Sequence, residues 1–400
     1  MWQRNLYALW VAQTLTIIGF SLRAPFLPFY LKELGAESFA SQALWSGLVN
    51  AGGALVMTVS APLWGMVADR YGRKPMVLRA MFAGSLTIGL MGLATSPWHL
   101  LALRFVEGAF TGTVIASTTL VASTTPRERM GFALGLMQTA VFSGASLGPL
   151  IGGILADQIG YRGSFLVAGG LLFTGGVIVL TQVHEQFTRP ARGGGVEETR
   201  ETPLRTLLLG STLLAMVSVM FVLRVGSSAV QPIMPLFVEH LAHSTRQLAT
   251  LSGLTLGVAG LTSAISSVVL GRRADQIGHG PVLIAGSLGV GLLYLPMALV
   301  QTPVQLIVLQ ALFGLAIGGV LPSANAVVAH LTPAHRRGAV FGFTAAATSA
   351  GGFIGPLTGA AVAAAVDIRW VFLLNGLMML AAALWVIHAL RTTPLDGNTG

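Results

Sequence analysis

The chain has 400 residues, 54% of them apolar and only 9% charged, which excludes an ordinary soluble domain, where about 25% of residues are charged. Its formal charge of +9 is not the footprint of a nucleic-acid partner, because the basic residues sort by loop. Cysteine is absent, which excludes disulfides and thiolate metal sites.

Apolar runs of about 20 residues recur from end to end, each long enough for a transmembrane helix. The sequence predicts twelve spans, at 6–30, 45–67, 76–95, 98–121, 131–156, 163–183, 206–238, 248–270, 281–300, 304–331, 339–365 and 370–390. Runs of this length must satisfy their own backbone polar groups, so helices are expected throughout. The first run is too long for a signal-peptide core, carries Arg23 and is followed by no Ala-x-Ala site at the right distance, so it is read as retained. Arg70, Arg73, Lys74, Arg127, Arg129, Arg272, Arg273 and Arg336 crowd one side, against Lys32, Arg162, Arg246 and Arg369 on the other. The positive-inside rule then places both termini in the cytoplasm.

The two halves repeat at an offset of 206 or 207 residues. Pro25 and Pro28 recur as Pro232 and Pro235, Gly65 and Asp69 as Gly271 and Asp275, and Gly144, Gly148 and Pro149 as Gly351, Gly355 and Pro356. This many matches at one offset predict two six-helix bundles of the same topology, related by an axis along the membrane normal. The expected domains are residues 1–183, a polar cytoplasmic linker 184–204, residues 205–391 and a short cytoplasmic tail 392–400.

Span one ends Arg23-Ala-Pro25-Phe-Leu-Pro28. Two prolines three apart loosen a helix, and such breaks are tolerated where they line a cavity. Span seven repeats the pattern at Gln231-Pro232-Ile-Met-Pro235. Both are read as cavity walls and gates, or as plain structural kinks. Between spans two and three stands Gly65-Met-Val-Ala-Asp69-Arg70-Tyr-Gly72-Arg73-Lys74. Gly72 permits a tight turn, and the basic residues hold the turn in the cytoplasm.

This loop resembles the complete signature of the major facilitator superfamily, Gly-x-x-x-Asp-Arg-x-Gly-Arg-Lys. The resemblance implies that fold, an all-α membrane protein of two pseudo-symmetric six-helix bundles. It further implies a cytoplasmic latch made by Gly65, Asp69, Arg70, Gly72 and Arg73, with Asp69 facing the start of span eleven near Gly338. The second copy keeps Gly271, Asp275 and Gly278 but has His279-Gly280 where the basic pair would stand.

Span four carries Arg104 and Glu107, the latter the one acidic residue read as lying inside the hydrocarbon. An ionised side chain at that depth costs roughly 2.5–3.5 kcal/mol on insertion scales, so such residues tend to be paired and functional. Three residues apart on a helix, the two heads can meet. Glu107, Thr111, Val114 and Thr118 are expected to follow one stripe up a single helix. One reading is simple mutual neutralisation. The other is a proton carrier, whose occupancy follows the separation of acid and cation. Arg104-x-x-x-Gly108 also resembles the superfamily's span-four motif, linked there to proton transfer. The second half has Gln310 and Phe313 at the matching positions.

Span five reads Gly135, then Gly144, Gly148, Pro149, Gly152 and Gly153. Glycines four apart let another backbone approach closely. The full spacing resembles the motif that marks antiporters, and the whole chain resembles the twelve-span drug:proton antiporters, a group of bacterial multidrug exporters linked to antibiotic resistance. The bacterial inner membrane, a monomeric protein among membrane lipids, and a proton gradient with no cofactor or metal follow from that likeness.

Cavity candidates are polar groups in apolar spans: Gln13, Arg23, Asn50, Gln138, Arg224, Gln231, Gln310, Asn325 and Asn375, with Phe20, Phe26, Phe142, Phe221 and Tyr294 as aromatic surfaces. Each amide is also suited to joining helices. Arg23, Arg104 and Arg224 against Glu107 leave a local excess of positive charge, which predicts anionic or neutral amphiphiles held by Arg23 or Arg224. The expected function is proton-coupled export of amphipathic small molecules by alternating access, not bond chemistry. No phosphate-binding Gly-x-x-x-x-Gly-Lys-Ser/Thr loop is present, which argues against direct ATP drive. A proton-coupled metabolite symporter or facilitator and a lipid translocase are the alternatives on this scaffold.

Overall fold

A computed structural model describes residues 2–185, 211–242, 247–332 and 337–392, and the regular elements among them are helices. Met1, residues 186–210, 243–246, 333–336 and 393–400, and the side-chain surroundings of Asp69, Arg127, 211–212, 337–339 and Thr392 lie outside the described residues, Arg246 and Arg336 of the loop charges among them. Among the described residues, nine stretches are long and apolar enough to cross a membrane.

In chain order the helices are α1 (Trp2–Ser21), α2 (Leu27–Glu33), α3 (Phe39–Tyr71), α4 (Lys74–Met91), α5 (Pro97–Phe110), α6 (Thr113–Thr124) and α7 (Met130–Gln182). They continue as α8 (Ser211–Val230), α9 (Met234–Ala242), α10 (Leu248–Ile277), α11 (His279–Met297), α12 (Pro303–Ile317), α13 (Val320–Leu331), α14 (Arg337–Ala365) and α15 (Ile368–Thr392).

The breaks fall where the sequence is hostile to helix. Span one is interrupted between α1 and α2 at Pro25, and span seven between α8 and α9 at Pro232, where the imino acid offers no N–H. Spans five and six are joined in α7, which turns at Gly160 with φ +77°. The tight turns before α4 and α11 are made by Gly72 and Gly278 at φ +96° and +93°, a region that favours glycine. Span four departs from the expectation of one continuous helix. Gly112 adopts φ +122° and separates α5 from α6. The stripe from Glu107 to Thr118 therefore changes direction after Phe110.

By contact the chain forms two units. One is Met1–Gly193 with Gln231–Leu261, and the other is Gly194–Val230 with Thr262–Gly400. The contact division thus differs from the sequence repeat, which ends near residue 204. Residues 231–261 join the first unit because α10 begins against α7. Asp157 accepts a hydrogen bond from the Thr250 amide at 2.7 Å, and Lys32 pairs with Glu239 at 3.3 Å.

Inside the first unit α7 packs along α1 and α4, while α3 packs on α5. Its core gathers Leu22, Phe26, Tyr30, Ile88, Phe165 and Leu172, all fully buried. Inside the second unit α8 packs along α14, and α11 along α15. The repeat is visible in individual bonds. Arg162 donates to the Gly92 carbonyl at 3.4 Å, and its counterpart Arg369 donates to those of Ala298 and Val300 at 3.0 and 3.2 Å. Each arginine satisfies carbonyls left open past a helix C-terminus.

Candidate functional site

Three ionised side chains meet inside the first unit. α5 carries Arg104 and Glu107 one turn apart, so both heads project from one face. Nη1 of Arg104 donates to Oε1 of Glu107 at 2.7 Å. Arg23, placed in the turn between α1 and α2, donates through Nη1 and Nη2 to Oε2 and Oε1, each at 3.1 Å. Glu107 is 3% exposed and Arg104 9%. One carboxylate thus holds two guanidinium groups, and the cluster carries an excess of one positive charge. Charge-assisted bidentate pairs of this kind are strong and orientation-specific.

The surrounding chain fixes each member. Phe26 stacks on Tyr161 at 5.6 Å and meets Phe165 edge-on at 5.3 Å, which pins the turn that carries Arg23. Nε of Arg104 donates to the Val49 carbonyl of α3 at 3.1 Å. Gly53 faces the same guanidinium, and a methyl group there would lie 2.7 Å from Nη2. Where α5 breaks off, its last carbonyls need new donors. Ser60 supplies one to Gly108 at 3.1 Å and Trp64 one to Ala109 at 2.6 Å.

The other predicted residues sort into two kinds. Gln13 is fully buried and spent on α6: its Nε2 donates to Thr113 at 3.3 Å, and its Oε1 accepts from Ser117 at 3.0 Å. Asn50 and Asn375 each donate to a carbonyl one turn back, at 2.8 Å. Gln310 contacts the Met297 sulfur at 3.8 Å. Gln138, Phe142, Arg224 and Gln231 are exposed, and Phe20, Phe221 and Asn325 half-buried. Arg23, expected as a free cavity cation, is instead the second partner of Glu107. Arg224 makes no ion pair with any described residue.

The glycines of α7 take close backbone contacts on two sides. Gly144, Gly148 and Gly152 lie against Ile17, Ile18, Ser21 and Leu22 of the α1 end, and Gly153 against Ala249 of α10. Gly135 meets open space. In the signature loop, Gly65 also meets open space, and Arg70 lies 5.4 Å from the Tyr71 ring. The side chain of Asp69 and the surroundings of 337–339, where its partner is expected, are not described, so the latch contact lies outside the described residues. Asp275 stands 3.9 Å from His279. Among the described residues no group of three His, Cys, Asp or Glu side chains is placed to hold a metal.

A profile of the Major Facilitator Superfamily matches residues 9–253 and again 216–399. The chain belongs to the Major Facilitator Superfamily. It is 37% identical to "Multidrug resistance protein MdtG" of Serratia proteamaculans, over 98% of this chain and 95% of that protein. It is 34% identical to "Multi-drug resistance efflux pump PmrA homolog" of Lactococcus lactis, over 96% and 94%. Among solved structures it resembles the nucleoside transporter NupG with a TM-score of 0.76 at 14% identity, over 96% and 99%, a likeness of fold alone. The chain is accordingly a multi-pass membrane protein of the superfamily fold.

Three features of this superfamily member were not found by reading the sequence. Arg23 joins Glu107 across 84 residues, which no local spacing signals. Gly53 leaves room for Arg104, and its trace is the Gly52-Gly53 pair inside an apolar run. Glu185, at the linker's start, accepts from the amides of Arg73 and Lys74 at 2.8–3.0 Å. It thereby caps α4, where the helix dipole favours an anion.

Proposed function

We propose that the protein exports amphipathic, drug-like small molecules across the bacterial inner membrane in exchange for protons. The arrangement that carries this reading is Glu107 between Arg104 and Arg23. Its support comes from the family, and from the multidrug-resistance and efflux names of relatives covered over almost their full length. It is a transporter rather than an enzyme, working as a monomer in lipid with the proton gradient as its energy source and no cofactor. Both termini are cytoplasmic, as the loop charges require.

The coupling follows from the charge count. With both arginines in place, protonating Glu107 would leave two guanidinium groups facing one another without a counter-ion, in a site where breaking a buried pair costs roughly 3–5 kcal/mol. A proton therefore binds only in a conformation that takes at least one cation away. Arg23 is the partner taken to withdraw in this reading, because it sits in the non-helical break between α1 and α2, where the movement must also release the Phe26 contacts that hold the turn here, whereas Arg104 shares a helix with Glu107 and is tied to Val49. Alternating access moves the two ends of the broken span, changes the Arg23–Glu107 separation and so links cargo exit to proton entry. Regrouping of residues 231–261, now docked on α7 through Asp157 and Thr250, accompanies the same movement.

Reconstituted protein under an imposed pH gradient tests the reading. Glu107→Gln is expected to abolish gradient-driven export of an amphiphile while substrate-driven exchange survives. Gradient-driven rates equal to the unmodified protein would remove Glu107 from the carrier role.

A further inference from the structure

The sequence leaves two arginines competing to hold an anionic cargo, and the structure separates them. Arg23 is consumed by Glu107. Arg224 is exposed on α8 and has neither hydrogen bond nor ion pair among the described residues. No described acid of its unit stands inside a span. Asp275 is in the last turn of α10, and Asp367 precedes α15, where it accepts from the Arg369 amide at 2.8 Å.

The depth of Arg224 makes this solitude informative. It stands 18 and 14 residues from the ends of the expected apolar run 206–238, on α8, about 20 Å by helix rise from Ser211 and about 9 Å from Val230, where the helix breaks within the run and not at its end. Counted along the apolar run, it is remote from both headgroup regions. An unpaired cation at the middle of a span faces a water-filled cavity or a partner, since hydrocarbon solvates it at prohibitive cost.

The neighbouring chain shapes a place for the guanidinium. α14 presents Gly351 and Gly352 beside it. A methyl group on Gly351 would lie 3.0 Å from Cβ of Arg224, and one on Gly352 would lie 3.3 Å from Nε. The missing side chains let the arginine lie along α14 with its polar edge open. One turn before it, Phe221 occupies the same side of α8, with its carbonyl toward Gly351. At the matching place of the first half stands Ile17, against Gly144, so the cation is an addition to the shared scaffold and not part of it.

We infer that Arg224, with Phe221 beside it, is a binding subsite for the anionic head of an amphiphile, a carboxylate, sulfonate or phosphonate carrying an apolar body. The guanidinium offers several donors to an oxyanion, and Phe221 offers a face to an aryl or alkyl group. This assignment rests on the export reading and names its cargo class.

Equilibrium binding to the full-length purified protein tests it, with dansylglycine as the anionic probe and dansylglycinamide as its neutral twin. Arg224→Gln is expected to weaken dansylglycine about tenfold or more, as loss of a charge-assisted contact implies, while the neutral twin stays within about twofold by the same comparison. Arg224→Lys is expected to fall between, keeping the charge but losing the fork. Equal change for both probes, no change for dansylglycine, or no saturable binding of it by the unmodified protein overturns the assignment. Thermal melting of Arg224→Gln at or above that of the unmodified protein is expected, because no partner among the described residues is lost. A large drop would show Arg224 to be structural and overturn it too. No gradient is imposed, so failure of pH-driven export in Glu107→Gln concerns coupling and leaves this result independent.

Discussion

The two halves share a scaffold and differ in chemistry. In the first, Arg104 and Glu107 of α5 pair with each other and with Arg23. In the second, the matching positions are Gln310, which contacts Met297, and Phe313, whose ring lies 4.9 Å from that of Tyr294. Val230 stands where the repeat would put a second Arg23. The ion cluster has been replaced by an amide, a thioether and an aromatic pair. Conversely Arg224 replaces Ile17, a cation where the first half is apolar. The repeat preserved what packs helices together, while the carboxylate with its two arginines stands in the first half and the single cation Arg224 in the second. Under the proposed function and the Arg224 assignment, proton chemistry falls to the first half and cargo contact to the second.

The largest effect that would break this contrast is on coupling. Glu107→Gln is expected to lower gradient-driven export by at least about a hundredfold, whereas Phe313→Leu at the matching position leaves it within about twofold, since a conservative apolar swap usually costs under 1.5 kcal/mol. Comparable losses in both would show that the halves share the proton path. Next comes a transplant. Phe313→Glu places an acid where no arginine waits, and is expected to lower stability by about 3–5 kcal/mol, the cost of an uncompensated buried charge. A melt of Phe313→Glu no lower than that of Phe313→Leu would refute it.

The scaffold, by contrast, should respond alike in both halves. Gly152 abuts the backbone of Leu22, and Gly359 abuts that of Ala229. Gly152→Val and Gly359→Val are each expected to cost about 1–3 kcal/mol by overpacking, read as matched losses of melting temperature. A loss confined to Gly152 would make the glycine face a feature of the first half alone. The smallest paired effect is expected at the arginine caps. Arg162→Ala and Arg369→Ala each remove donors to carbonyls past a helix end, for about 1 kcal/mol. Divergence between the two melts would sharpen the comparison by showing that one cap also serves the function.

Much of this was legible beforehand. Apolar run length marked the membrane helices, the offset of 206 or 207 residues marked the duplication, and three-residue spacing predicted that Arg104 would reach Glu107. The break at Gly112 was harder to see. One glycine among fifty carries no sign that its φ will be positive, and the loss of the stripe beyond Phe110 depends on Ser60 and Trp64 being near enough to satisfy the freed carbonyls. Gln13 posed the same difficulty. An amide in an apolar span suits a ligand or a neighbouring helix equally, and only the positions of Thr113 and Ser117 decide for the helix.

The sequence alone determined which segments are helical and which loops carry charge, because hydrophobic length, glycine spacing and proline are local properties of the chain. Tertiary structure decided which charges meet. Arg23 and Arg224 look alike in the sequence, each a single cation in an apolar span. The fold brings one to a carboxylate 84 residues away and lays the other beside two glycines without a counter-ion among the described residues. Coulomb energy depends on distance in space and on the water excluded between the groups, and neither quantity is written in the order of the residues.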